Sequence, residues 1–259
     1  MKNVAFLLLL LLTVACKDSK DKTNGDTASE ESITAQAIID KAIDKACNGN
    51  CDRAEIAFTF RDKAYKSKRF DGEYELERIT KDSVDVTRDQ LSNFGFTRWV
   101  NDIKLELADT TALKLGNSVN SVHYFAQLPY GLNAPAVQKK LIGTDTVKGE
   151  PYYEIKVTFK KEGGGTDHDD EFMYWVHQDD FTVDYLAYSY ETNGGGIRFR
   201  EAYNPRRVEG IRFVDYNNYK TDDLSTPLSQ LDDLFEENKL PLLSKIENEN
   251  IEVKLLNQW

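Results

Sequence analysis

The stretch from Ala54 to Leu76, AEIAFTFRDKAYKSKRFDGEYEL, decides the fold. In its first part Ile56, Phe58 and Phe60 alternate with Ala57, Thr59 and Arg61, a period of two. Side chains of an extended strand point to opposite faces in turn, so this pattern buries one face and leaves the other wet. Asp71-Gly72 is a hairpin turn signal, because a two-residue reversal needs left-handed backbone that glycine adopts freely. Tyr74 and Leu76 resume the alternation beyond it. The stretch is therefore read as an antiparallel ribbon.

The same period recurs further along the chain. Val84 and Val86 follow, then Tyr153, Ile155, Val157 and Phe159, then Phe172, Tyr174 and Val176. Asp184 to Tyr190, Ile197 to Tyr203, Val208 to Tyr216 and Ile251 to Leu255 continue it. Gly163-Gly164-Gly165, Gly194-Gly195-Gly196 and Gly210 punctuate these runs, as expected of an antiparallel meander. Helical spacing interrupts it three times. Ser32 reads as an N-cap for a helix carrying Ile33, Ala37, Ile38, Ala42, Ile43 and Ala46, stopped at Gly49. Thr110 to Leu128 carries Ala112, Leu115, Val119, Val122 and Ala126 on one side and ends against Pro129. Thr226 to Asn238 is a third helix, capped at Thr226 with Pro227 in its first turn. Strand and helix do not alternate, which excludes a (β/α) barrel or a dinucleotide fold. The expected class is mainly β (α+β), a curved antiparallel sheet or half-barrel wrapping one or more helices.

The first residues set the compartment. Lys2, the apolar run Phe6 to Leu12 and the small residues before Cys16 have the order of a signal peptide, and the run is too short for a membrane span. Leu-Thr-Val-Ala-Cys resembles the bacterial lipobox, which implies cleavage before Cys16 and lipidation of that cysteine. Lys17 to Ser32 has no aromatic or large aliphatic side chain and reads as a flexible tether. The expected organisation is a signal peptide over 1–15, a lipidated cysteine and tether over 16–32, and one domain over 33–259. Cys47 and Cys51 then remain as a pair in an oxidising compartment. They flank Asn48-Gly49-Asn50, where one helical turn brings two cysteines close enough to bridge. A metal clip is the other option, but two thiolates without further His or Cys make a poor zinc site. A local disulfide is the expected state.

The formal charge is −11, and removal of Lys2 with the leader makes it one unit more negative. An acidic surface without a basic cluster repels phosphates, so nucleic acid is not an expected partner. No Gly-x-Ser-x-Gly, His-Glu-x-x-His or P-loop string occurs, and no cofactor is expected.

The architecture resembles that of the LolA/LolB-like lipoprotein-carrier superfamily, which implies a curved sheet around an apolar cavity for acyl chains or lipoproteins. A closer resemblance is to an uncharacterised family of bacterial lipoproteins. It is carried by Phe58-Thr59-Phe60-Arg61, by Asn117-Ser118-Val119-Asn120-Ser121-Val122 with Leu128-Pro129, and by Gly163 to Asp170. Tyr174-Trp175, Asp184-Tyr185-Leu186-Ala187-Tyr188 and Arg198-Phe199-Arg200-Glu201 add to it. The Cys47 to Cys51 turn departs from that family, whose members carry a His-Gly turn there.

Three constellations are candidates for chemistry. Phe58, Phe60, Tyr74, Tyr174, Trp175 and Tyr188 are aromatic residues on alternating strands, which either line a ligand groove or fill a core. Arg198 and Arg200 share a strand face and have the fork geometry to grip a carboxylate or phosphate, although pairing with acidic cross-strand neighbours is the expected use in so acidic a chain. Asp167, His168, Asp169 and Asp170 form the densest run of oxygen and nitrogen ligands. Consecutive residues rarely converge on one ion, so a solvated turn is the expected reading and a metal the weaker one. His123 and His177 are expected as packed or surface histidines. The sequence thus points to an envelope protein, lipid-anchored to a membrane (the outer membrane, on its periplasmic or surface face). Its expected ligand is a lipid or other hydrophobic molecule. The alternatives are a metal-dependent enzyme using the Asp167 to Asp170 loop and a structural protein without a pocket.

Overall fold

A computed structural model describes residues 33–162, 168–191 and 194–257. The signal peptide, Cys16, the tether and Gly163 to Asp167 lie outside the described residues. Helix α1 (Ala35–Cys47) opens the domain. Six strands follow it: β1 (Arg53–Phe60), β2 (Lys63–Phe70), β3 (Glu73–Lys81), β4 (Val86–Ser92), β5 (Gly95–Val100) and β6 (Ile103–Leu105). After helix α2 (Asp109–Ala126) come β7 (Val137–Val147), β8 (Glu150–Phe159), β9 (Glu171–His177), β10 (Val183–Tyr190), β11 (Gly196–Val208) and β12 (Ile211–Thr221). The short helix α3 (Leu231–Glu236) and strands β13 (Leu242–Ile246) and β14 (Glu249–Leu255) complete it.

The chain is mainly β and antiparallel, with its strands divided between two sheets that do not close into a barrel. The first has the order β14-β1-β2-β3-β4-β5-β6, the second β13-β12-β11-β10-β9-β8-β7. Each is a hairpin meander, and the last two strands separate, β13 joining β12 and β14 joining β1. The deciding stretch behaves as its period requires: Ala54, Ile56 and Phe58 are buried, and β2 and β3 pair across the Asp71-Gly72 turn. Asp71 and Gly72 both have positive φ, at 54° and 84°.

Helix α1 begins at Thr34, whose Oγ1 accepts from Ala37 N at 3.2 Å, and ends at Asn48 in the left-handed region. The cap is thus Thr34; Ser32, expected in that role, lies outside the described residues. Ile38 and Ile39 are both fully buried, so the apolar stripe includes Ile39 as well. On α2 the buried positions are Gly116, Val119, His123 and Ala126, a stripe turned from the expected one because a glycine and a histidine face the sheet. The third helix is shorter than expected. Pro227 is itself the cap position, extended (ψ 138°) and without a side-chain cap bond, rather than the first helical residue after a Thr226 cap, and a 3₁₀ turn over Leu228–Gln230 precedes α3. Val84, expected on a strand, is 82% exposed in the turn before β4.

Helix α1 packs on β12 and β7 of the second sheet, and α2 packs on β3, β4 and β5 of the first. Both faces of the second sheet are covered. One meets α1 through Ile38, Ile39, Ala42, Ile155, Tyr174 and Leu186. The other meets α3 through Trp175, Tyr185, Phe199, Leu231 and Phe235. A third cluster joins Ile56, Phe58 and Tyr65 of the first sheet to Ile211 and Phe213, with Cys47 and Cys51 at its edge. Among the described residues no helix is long and apolar enough to cross a membrane.

Candidate functional site: an aromatic cavity around a buried arginine

The helix-filled interior leaves a cavity of about 310 Å³, bounded by Phe60, Phe125, Tyr188, Arg200, Tyr216 and Ile246. Strand alternation places these groups. Arg200 of β11 lies opposite Leu186 of β10 and Asn218 of β12, which presents its own polar side chain to the same space. Phe125, in the last turn of α2, covers the arginine with its guanidinium carbon 3.9 Å from the ring centroid. Tyr188 and Tyr216 flank it at 5.1 and 5.9 Å. Exposed Arg61, in the turn after β1, marks the rim.

Arg200 is only 7% exposed. Its Nη2 donates to Tyr188 Oη at 2.8 Å and its Nε to Asn218 Oδ1 at 3.5 Å, while Nη1 is buried without an acceptor. Ring faces stabilise the charge through their quadrupoles, but such contacts are weaker than a counter-ion in a dry site. Among the described residues Arg200 has no carboxylate partner, and neither does Arg198, whose Nη2 donates to Tyr190 Oη at 2.6 Å. The expected cross-strand pairing with acids is thereby corrected: tyrosine hydroxyls, which the strand aromatics bring to that face, take the place of carboxylates.

The other candidates divide. Phe60 and Tyr188 join Arg200 at the cavity. Phe58 is buried beneath the first sheet, stacked on Tyr65 at 5.3 Å. Tyr174 is fully buried and shares a 2.6 Å hydrogen bond with Tyr124 Oη. Desolvation pushes both phenols above the ordinary tyrosine range. Trp175 faces α3 on the opposite side, its Nε1 donating to Asp232 Oδ2 at 3.0 Å. Tyr74 is half-buried on β3, with its backbone N donating to Asn93 Oδ1. Phe125 was not among the sequence candidates. The one available signal was its place beside Ala126 at the end of the α2 stripe.

A disulfide joins Cys47 to Cys51 with Cα atoms 5.2 Å apart, packed against Ala54 and Ile211. Asp167 lies outside the described residues, and His168 Nε2 is 3.5 Å from Asp169 Oδ1, whose side chain is 74% exposed. His123 is fully buried, with Nε2 donating to Glu77 O at 3.0 Å and Nδ1 facing Gln127 Nε2. Burial lowers its pKa to about 4, so it is neutral. His177 ends β9, and its Nδ1 accepts from the backbone N of Asp179 and Asp180 in the turn that follows. Each histidine thus has its own surroundings, and none is placed at the cavity wall.

The profile of DUF6503, a family of unknown function, matches residues 4–248. No curated protein matches the chain in sequence. Among solved structures the chain is similar to a LolA superfamily protein from Nitrosomonas europaea, at 12% identity and a TM-score of 0.47, over 88% of this chain and 96% of that one. It is also similar to a DUF1329 family protein from Desulfovibrio piger, at 14% identity and a TM-score of 0.48, over 80% and 99% of the two chains.

Proposed function

The chain belongs to the DUF6503 family of unknown function, and we propose that it is an anchored carrier or sensor that binds an amphipathic molecule with an acidic head in the Arg200 cavity. The observation that carries this reading is Arg200 Nη1, a buried N–H donor with no acceptor, on a cation with no carboxylate partner among the described residues. A buried charge without a partner is costly, and a carboxylate or phosphate placed there would satisfy the donor and the charge together. The rings of Phe60, Phe125 and Tyr216 give the apolar part of such a ligand a wall to cover. The cavity is near the lower bound for a small-molecule site, so it fits one acyl chain or a comparable group rather than a whole diacyl lipid.

The anchoring half of the proposal rests on the amino-terminal residues. Cleavage before Cys16 and acylation there would tie the domain, over 33–259, to the cell envelope through the tether over 16–32.

The test uses the full chain. Native mass spectrometry should find a co-purifying acidic amphiphile, and the delipidated protein should take up a fluorescent fatty acid. Arg200→Gln should weaken uptake about ten- to hundredfold, the worth of a charge-assisted hydrogen bond. Cys16→Ser should release the protein from the membrane fraction while leaving uptake unchanged. A clean apo mass with no uptake by the wild type removes the ligand reading; membrane retention of Cys16→Ser removes the anchor.

A further inference from the structure

On the face of the second sheet turned away from the cavity, three carboxylates converge. Asp145 of β7, Glu154 of β8 and Asp232 of α3 each place one oxygen within 4.8 Å of the others. Strand register explains the first two: Gly143 is the partner of Glu154 and Asp145 that of Tyr152, so the acids are diagonal neighbours on one face. Gly143 also leaves space, since a Cβ there would stand 3.5 Å from Glu154 Oε2. Asp232 comes down from α3, held by Trp175 Nε1.

Such an arrangement is unfavourable as it stands. Glu154 is 8% exposed and Asp232 2%, and Glu154 Oε1 and Asp232 Oδ1 are buried with no hydrogen-bond partner. Among the described residues none of the three acids forms an ion pair with a lysine, arginine or histidine. Two outcomes relieve the repulsion: protons on the buried acids, or a cation between them. Burial first, and then the neighbouring acids, raise Glu154 to about 7; burial and Asp145 raise Asp232 to about 6. At neutral pH Glu154 thus keeps about half of its proton; what points to a cation is the geometry, two buried carboxylate oxygens without a hydrogen-bond partner beside a third acid.

We propose that Asp145, Glu154 and Asp232 bind a divalent cation of the calcium type, which fastens α3 to the outer face of the second sheet. The donors are all carboxylate oxygens, which suit a hard cation, and there is no sulfur or imidazole to favour zinc or copper. Three carboxylates leave coordination positions for water, and Asp145, the acid that solvent reaches, gives the ion a way in. The site is independent of the Arg200 cavity and of any ligand there.

The experiment uses the EDTA-stripped full chain at neutral pH. Tb³⁺ should bind and emit when tryptophan is excited, because Trp175 donates directly to one of the ligands, and Ca²⁺ should displace it. At about a hundred times its dissociation constant, Ca²⁺ should raise the melting temperature by about 5–10 °C. Glu154→Gln should abolish both effects. Should that variant fold poorly, Asp145→Asn, a change at the solvent side of the site, should weaken Ca²⁺ binding at least tenfold. The proposal is overturned if the wild type shows no sensitised Tb³⁺ emission and no Ca²⁺ or Mg²⁺ response at millimolar concentration, which would leave the acids simply protonated. It is equally overturned if both variants respond as the wild type does.

Discussion

Two buried guanidinium environments show how a single residue's surroundings decide its use. Arg200 has rings and a hydroxyl about it and a donor to spare. Arg78 and Arg98 are spent on Asp89, which is 2% exposed and aligned with both across adjacent strands. Burial pushes the Asp89 carboxyl up, but the two guanidiniums outweigh it and hold the group below the usual carboxylate range. A depressed carboxyl stabilises the fold above its unfolded pKa, and that contribution is lost as pH falls through the folded value. Asp89→Ala would leave two half-buried cations unpaired on the first sheet. Removing one partner of such a group costs about 3–5 kcal/mol, and denaturant unfolding should show a loss of that order. A loss under about 1 kcal/mol would mean that solvent already screens the trio.

At the scale of elements, legibility followed how strongly one periodicity dominated. The strands with clean alternation, β1, β3 and β8 to β12, were readable because a row of large apolar side chains is buried against a helix or the other sheet, and in β9 to β12 the second row is largely buried as well. Strands β5 and β7 were not. In VQKKLIGTDTV a register shift between Leu141 and Gly143 splits the half-buried row, Val137, Lys139 and Leu141 facing the α1 side and Gly143 and Asp145 the α3 side, so backbone pairing with β8 makes the strand rather than burial of one apolar row. The cavity was half legible. Phe60, Tyr188 and Arg200 could be named from alternation, but whether their face was hollow or filled depends on where α2 lies, which no local pattern records. The rotation of α2 has the same origin. Gly116 faces the sheet, where a Cβ would meet Leu91 Cδ1 at 3.5 Å and Phe96 Cβ at 3.6 Å, ordinary contact distances. Its φ is not positive, so only space matters. Gly116→Ala should therefore stabilise the protein by about 0.5–1 kcal/mol through reduced unfolded-state entropy, seen as a rise in melting temperature of about 2–4 °C. Gly116→Leu should destabilise it by overfilling the same gap. If alanine destabilises as leucine does, α2 lies closer to β4 and β5 than described.

Across the whole molecule, titrating groups of opposite sense set the pH at which the fold is most stable. Glu154 and Asp232 have raised pKa values, about 7 and about 6, so their contribution is present below the ordinary carboxylate range and lost as pH rises through those values. His123 has a lowered pKa, about 4, so its contribution is present above the unfolded histidine value and lost as pH falls toward 4. Asp89 and Glu201, both held low by basic and polar partners, also lose their contribution on the acid side. The two raised acids act alone between neutrality and the histidine range, because there the unfolded histidine has not yet gained its proton. The melting temperature of the metal-free protein should consequently peak on the acid side of neutrality and fall toward about pH 8. Glu154→Gln removes one raised acid, so its curve should fall less steeply over that range while keeping the wild-type acid limb, which His123, Asp89 and Glu201 determine. Parallel curves for the two proteins from about pH 5 to about pH 8 would show that the acid cluster is not what makes the fold sensitive to base.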